Sequence, residues 1–243
     1  MSLRDLGEKG LRATVEPVMA FLTRRRVHPN AISTAGFLVT CSSGYFFHQH
    51  HVSTAGALIL IGGLFDLIDG TVARRTGLAS SFGAFYDSTL DRLSEIVVYL
   101  GMLSLYNDYR LELGDVGMIY WIVLAMAGSL MISYTRARAE GLGIDCYVGL
   151  MQRPERVILI GFAALIFGET TMLGQRGLVL KVVIILLAVL TNFTAIQRIW
   201  WVYRETRPEG EPGPRATTAA RAAAEAAAEA ESADEHTTER IDT

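Results

Sequence analysis

The sequence predicts an all-α, polytopic integral membrane protein, with six transmembrane helices preceded by an interfacial amphipathic helix. Three observations carry that expectation. Uncharged apolar blocks recur along the chain, basic residues cluster at alternate connections between them, and the segment before the first block is amphipathic. Ala31 to Phe47 holds 17 residues without a charge, Val116 to Tyr134 holds 19, and Leu178 to Gln197 holds 20 with Lys181 its only charge. A bilayer core is crossed by about 20 mostly apolar residues in a helix. Composition agrees, since 51% of the 243 residues are hydrophobic and 19% charged.

The elements follow in order. Residues 1–28 form the interfacial helix, with Leu6, Leu11, Val15, Val18 and Leu22 at helical spacing and Arg24, Arg25 and Arg26 closing it. Its early mixture of Arg, Asp, Glu and Lys is unlike a cleavable signal peptide. Residues 29–206 form the six-span domain, with spans expected near 30–48, 53–74, 82–106, 115–135, 155–173 and 178–203. The second, third and fifth reach membrane length only when polar turns are included. Basic residues gather before span one, after spans two and four, and at the end of span six, whereas the opposite loops offer only Arg110 and Arg176. By the positive-inside rule both termini are cytoplasmic and the protein belongs in the cell (inner) membrane. Residues 207–243 form a tail, Pro/Gly-rich and then Ala/Glu-rich, with nine acidic and four basic side chains. Lacking large apolar residues along its Ala/Glu stretch, the tail is expected to be disordered or a solvated helix.

Several function classes drop out. No basic stripe with interleaved aromatics argues for nucleic acid. Cys41 and Cys146 make no disulfide or metal pattern. His48, His50 and His51 lack a fourth ligand at a fixed spacing, and Trp121, Trp200 and Trp201 read as interfacial anchors.

The chemistry concentrates between Phe65 and Glu95. Asp66 and Asp69 sit at i, i+3 near the end of span two, and Asp87 and Asp91 at i, i+4 near the start of span three. Each pair therefore shares one helix face. The connection from Arg75 to Ser81 is short enough to make the two spans antiparallel neighbours. At 1.5 Å per residue, both pairs lie roughly 9 Å in from that loop, so four carboxylates converge. A charged aspartate deep in a spanning helix costs about 2.5–3.5 kcal/mol, which nearby cations, bound metal or protonation must offset. Oxygen-only ligands favour a hard divalent cation, Mg²⁺ or Mn²⁺. Two such ions fit four carboxylates and suit phosphoryl transfer. Gly70 and Ala73 near Arg74, and Gly83 one turn before Asp87, let a phosphate or a neighbouring backbone approach closely. Glu95, one turn beyond Asp91, receives no assigned role.

These residues carry a family. The pattern D-x-x-D-G-x-x-A-R, then eight residues, then G-x-x-x-D-x-x-x-D is complete from Asp66 to Asp91. It resembles the signature of the CDP-alcohol phosphotransferases across about residues 1–205. The resemblance implies transfer from CDP-diacylglycerol to an alcohol with release of CMP, in a homodimer embedded among membrane lipids. It implies that Asp66, Asp69, Asp87 and Asp91 hold two divalent cations and that Asp91 is the general base. Pro29, Asn30, Asp69, Gly70, Ala73, Arg74 and Gly83 resemble the positions that hold the CDP part. The site opens to the cytoplasm and inner leaflet.

The acceptor is read from arginines. Ser133 to Glu140 (SYTRARAE), followed by Gln152-Arg-Pro-Glu-Arg156, resembles the bacterial phosphatidylinositol phosphate synthases. In that subfamily the positions matching Arg136, Arg156 and Arg198 hold the acceptor's phosphate, with Arg153 an adjacent candidate. Arg136 stands where the subfamily has lysine, and Asn30 where an aspartate is often found. Inositol phosphate is therefore the leading acceptor, and glycerol phosphate, another small phosphorylated alcohol, is the rival within the enzyme class. A divalent-cation transporter is the rival of another class. It would spread carboxylates through the interior of several spans, whereas here only Glu95 and Glu169 join the four aspartates there, Asp115 and Glu155 being the first residues of their spans.

Overall fold

The computed structural model describes residues 16–25, 27–108, 115–173 and 175–206. Seven helices and one small hairpin are found among them. Helix α1 is described over residues 16–24. It is followed by α2 (Pro29–His48), α3 (Val52–Thr76), α4 (Ser81–Asn107), α5 (Val116–Glu140) and α6 (Arg153–Phe167). Strands β1 (Thr171–Met172) and β2 (Gln175–Arg176) pair antiparallel, and α7 (Leu178–Glu205) closes the described chain. The chain divides into two compact units, Met1–Ala127 with Met151–Val189, and Gly128–Leu150 with Leu190–Thr243. The expected tail, residues 207–243, and the first 15 residues lie outside the described part.

Local chemistry sets the helix ends around the first unit's acidic pairs. Pro29 occupies the first turn of α2, where its fixed φ suits a helix and its missing N–H costs nothing. Gly77 stops α3 in the left-handed region at φ 67°, its amide donating to the Ala73 carbonyl. The Ser80 hydroxyl then caps α4 by accepting from the Gly83 amide at 3.0 Å. Only Gly77 to Ser80 separates the two helices, but they are not close-packed along their lengths as the short connection suggests, because α2 packs against each of them. Helix α3 also packs against α6.

Small residues make those contacts close. A Cβ at Gly101 on α4 would lie 2.6 Å from the Gly44 Cα and carbonyl oxygen on α2. A Cβ at Gly56 on α3 would lie 2.7 Å from the Gly161 carbonyl on α6. In a bilayer, helices gain little from hiding apolar surface and associate through this kind of packing. An apolar cluster of Met19, Ile32, Ile68 and Val72 ties α1 to α2 and α3.

Helices α3, α5 and α7 are long and apolar enough to cross a membrane. Their outward faces carry exposed Ile61, Leu67, Tyr120, Val123, Leu124, Val182, Leu186 and Val189, side chains that lipid would cover. The protein is a membrane protein built on several apolar helices. Helix α6 is shorter than the sequence suggests. It ends at Phe167 after 15 residues, about 22 Å at 1.5 Å per residue, rather than continuing to residue 173. Gly168 packs against Val52, and the polar run Glu169-Thr170 leads into the hairpin. Beyond that hairpin, Lys181 of α7 bonds Asp115 at the head of α5 at 2.9 Å and holds its carboxyl below the usual carboxylate range.

Candidate active site

The four aspartates occupy facing ends of α3 and α4. Carboxylate oxygens of Asp66, Asp69 and Asp87 lie within 4.8 Å of one another. Asp91, one turn further along α4, lies outside that group of three. Its partner is Arg153 in the first turn of α6, whose Nη2 is 2.8 Å from the Asp91 Oδ1. The same guanidinium reaches across to α3, where Nη1 donates to the Asp66 Oδ2 at 2.5 Å. Asp69 is buried and accepts a 2.6 Å hydrogen bond from the Ser33 hydroxyl of α2. Among the described residues no cation pairs with Asp69 or Asp87.

A cavity of about 530 Å³, open to solvent, adjoins this cluster. Pro29, Asn30, Ser33 and Asp69 line it from α2 and α3. Gly70, Ala73 and Arg74 continue its α3 wall, and Ser80, Gly83 and Asp87 form its α4 wall. The seven residues expected at the CDP part are thus brought together around one space. Arg74 stands exposed at its edge and donates to the Thr71 hydroxyl at 3.3 Å. Gly83 sits where a Cβ would come 3.1 Å from the Ser80 hydroxyl and 3.4 Å from the Asn30 side-chain oxygen.

The donor set fits a hard divalent cation. Three carboxylates from two helices converge with no nitrogen or sulfur ligand beside them, as magnesium and manganese prefer. Among the described residues Asp69 and Asp87 form no direct ion pair, although Arg153 and Arg92 act on Asp87 through space. Ser33 supplies the outer-shell hydrogen bond that orients such ligands.

The arginines expected at the acceptor are all engaged by the protein. Arg156 is 1% exposed. Its Nε and Nη2 donate to Glu95 at 2.6 and 3.1 Å, and its Nη1 to the Met151 carbonyl at 3.1 Å. In the second unit, Arg136 bonds Glu140 at 2.8 Å and lies over the Tyr147 ring. Buried Arg198 donates to the carbonyls of Val148 and Ile132 at 2.8 and 2.6 Å.

Sequence reasoning passed over Ser33 and left Glu95 without a role. Ser33 has a legible signal, because it lies one helical turn beyond Pro29 and Asn30 on the same face. The Glu95 partner, 61 residues away, has no local signature.

The family model for CDP-alcohol phosphatidyltransferase matches residues 26–196, which contain every one of these aspartates. The chain belongs to the CDP-alcohol phosphatidyltransferase family. It is a membrane-bound transferase of phospholipid synthesis with an acidic metal-binding cluster. It is 34% identical over 197 residues to the archaetidylinositol phosphate synthase of Methanothermobacter thermautotrophicus, covering 81% of this chain and 92% of that one. To the phosphatidylinositol phosphate synthase of Streptomyces avermitilis it is 32% identical over 195 residues, covering 78% of each. Solved structures of the Mycobacterium tuberculosis phosphatidylinositol phosphate synthase superpose with a TM-score of 0.69 at 28% identity. One holds CDP-diacylglycerol and covers 79% of this chain and 94% of its own. The other holds manganese and citrate and covers 79% and 90%.

Proposed function

We propose that this phosphatidyltransferase moves a phosphatidyl group from CDP-diacylglycerol to inositol phosphate, giving phosphatidylinositol phosphate and CMP. The observation that carries the donor half is the cavity whose walls combine Asn30, Gly70, Arg74 and Gly83 with the carboxylates of Asp69 and Asp87. A pyrophosphate there meets an arginine at the rim and a metal cluster at the wall. The acceptor half rests on relatives named as inositol phosphate synthases at 32–34% identity.

In this reading Asp66, Asp69, Asp87 and Asp91 hold two divalent cations, Mg²⁺ or Mn²⁺. Bound there, these ions supply the positive charge that the pyrophosphate and the departing CMP require. Asp91 takes the proton of the acceptor hydroxyl as that oxygen attacks the β-phosphorus, the one bearing the diacylglycerol. A carboxylate is a weak base, so its contribution comes mainly from position. Pro29, Asn30, Gly70, Ala73, Arg74 and Gly83 bind the CDP part. In the same reading Arg136, Arg156 and Arg198 hold the acceptor's phosphate, with Arg153 an adjacent candidate. Six spans cross the membrane, with both termini and the site cytoplasmic and residues 207–243 forming an appended tail. The active species is a homodimer, as the family resemblance implies.

The test is CMP release by the purified protein with Mg²⁺ and CDP-diacylglycerol, comparing inositol phosphate, glycerol phosphate, inositol and serine. Release driven chiefly by inositol phosphate is the expected result. Release driven by glycerol phosphate would keep the site and move the acceptor. A CDP-activated ether lipid run in parallel identifies the donor backbone.

A further inference from the structure

Two consecutive hydroxyls on α2 bond to the two helices that carry the aspartates. Ser33 donates to the Asp69 carboxylate of α3 at 2.6 Å. Thr34, the next residue, meets the Tyr86 hydroxyl of α4 at 3.0 Å. Helix α2 packs against both α3 and α4, so it braces the two acidic pairs from one side.

Proton count gives the direction of the Thr34–Tyr86 bond. The Thr34 Oγ1 also lies 2.7 Å from the Asn30 carbonyl, one turn back on α2. A hydroxyl has one proton to give, and a helical threonine that bonds back to the i−4 carbonyl spends it there. The Tyr86 hydroxyl therefore donates to Thr34. Two hydrogen bonds in series then run from α4 through Thr34 to the backbone of Asn30. Tyr86 is half-buried, and the Phe82 ring stacks on it with centroids 5.9 Å apart.

The residues that line the donor cavity are the neighbours of this pair. Asn30 and Ser33 stand in its α2 wall, Gly83 and Asp87 in its α4 wall. Tyr86 follows Gly83 by three residues and directly precedes Asp87. The two walls come close there, since a Cβ on Gly83 would lie 3.4 Å from the Asn30 Oδ1. Toward their other ends α2 and α4 meet at Gly44 and Gly101, and through His48 Nδ1 and Ser104 Oγ, 2.7 Å apart. Thr34 and Tyr86 supply a tie at the cavity end.

We infer that Thr34 and Tyr86 are positioning residues for the donor: their hydrogen bond holds the α4 wall, with Gly83 and Asp87, against the α2 wall, with Asn30 and Ser33. The inference rests on the proposed CDP-diacylglycerol site for its functional consequence. Neither side chain touches the donor; each acts through the wall residue beside it.

The experiment uses the full chain in nanodiscs and the variants Tyr86→Phe, Thr34→Val and the double variant, with Thr34→Ser as the conservative exchange that keeps the hydroxyl. Binding of free CDP is measured by isothermal titration calorimetry at saturating Mn²⁺, and CMP release is followed as kcat and KM for both substrates. The expected result is a CDP Kd and a donor KM raised about three- to tenfold in Tyr86→Phe and in Thr34→Val, the scale of one hydrogen bond. The acceptor KM and the kcat at saturating donor stay nearly unchanged, and Thr34→Ser binds CDP as the wild type does. The double variant should be no worse than the worse single, because both residues act through one bond.

A lowered melting temperature with an unchanged CDP Kd in both single variants makes the pair a stability contact and overturns the inference. A raised Kd confined to Tyr86→Phe would make the phenol a direct ligand, which also overturns it, as do additive losses in the double variant. If Tyr86→Phe does not fold, Thr34→Val against Thr34→Ser decides by the same CDP criterion. Absence of CMP release from the wild type with every acceptor would sink the reaction reading, while the CDP titration still judges the pair. Absence of CDP binding by the wild type would overturn the pair's role together with the donor cavity it serves.

Discussion

At the scale of single side chains, the four aspartates of the motif are of two kinds. Asp69 and Asp87 line the cavity with no ion-pair partner among the described residues, while Asp66 and Asp91 share the Arg153 guanidinium. In the proposed reaction this division would separate metal binding from proton transfer in a way that can be measured. Asp69→Asn removes a carboxylate from the group of three and should abolish high-affinity Mn²⁺ binding together with CMP release. Asp91→Asn leaves that group intact. It should keep one Mn²⁺ bound at those three carboxylates and weaken the second site, while CMP release falls by about 10²–10⁴-fold, the usual scale for losing a positioned base. Loss of metal from both variants, read by electron paramagnetic resonance, would merge the two roles. The motif itself was legible, because i, i+3 and i, i+4 spacing fixes which carboxylates share a face. Arg153 as their shared partner was not, since its place depends on how α6 meets α3 and α4.

Helices carry the next level of constraint. Helix α4 bears Asp87, Asp91 and Glu95, and its seat against α2 depends on backbone contact at Gly44 and Gly101. A side chain at residue 101 meets the Gly44 Cα and carbonyl at 2.6 Å, atoms that cannot rotate away as a flexible side chain would. Gly101→Val should therefore force α2 and α4 apart and destabilise the protein by about 1–3 kcal/mol, the usual range for overpacking. The same shift should weaken Mn²⁺ binding, because Ser33 of α2 bonds Asp69. An unchanged melting temperature would show that the helices can separate there without loss. Helix positions were legible at this scale to within about five residues, apart from the end of α6, and three of the helices are long and apolar enough to cross a membrane. Helix α6 ends at Phe167, before Gly168 and the polar Glu169-Thr170, inside a stretch expected to continue to residue 173.

For the molecule as a whole, the acidic cluster trades stability for function until metal arrives. Like charges held within 4.8 Å repel in the folded protein and separate on unfolding. A cation bound only by the folded state adds about 2.7 kcal/mol when present at 100 times its Kd. Mn²⁺ or Mg²⁺ should therefore raise the melting temperature in nanodiscs, chelation should reverse it, and the gain should vanish in Asp69→Asn. A gain that survives in that variant would locate the stabilising ion elsewhere.

Taken by itself, the sequence determined the membrane character, the family and the carboxylates of the acidic cluster. Each of these follows from properties a chain carries locally: long uncharged stretches that water would penalise, and charges whose helical spacing is fixed by 3.6 residues per turn. Tertiary structure decided which groups those carboxylates face. Ser33 on Asp69, Arg153 across Asp66 and Asp91, and Arg156 buried on Glu95 join residues 36 to 87 positions apart. No short-range rule relates such pairs. They are set by where glycine-lined helices can approach, and by the demand that a buried charge find its opposite.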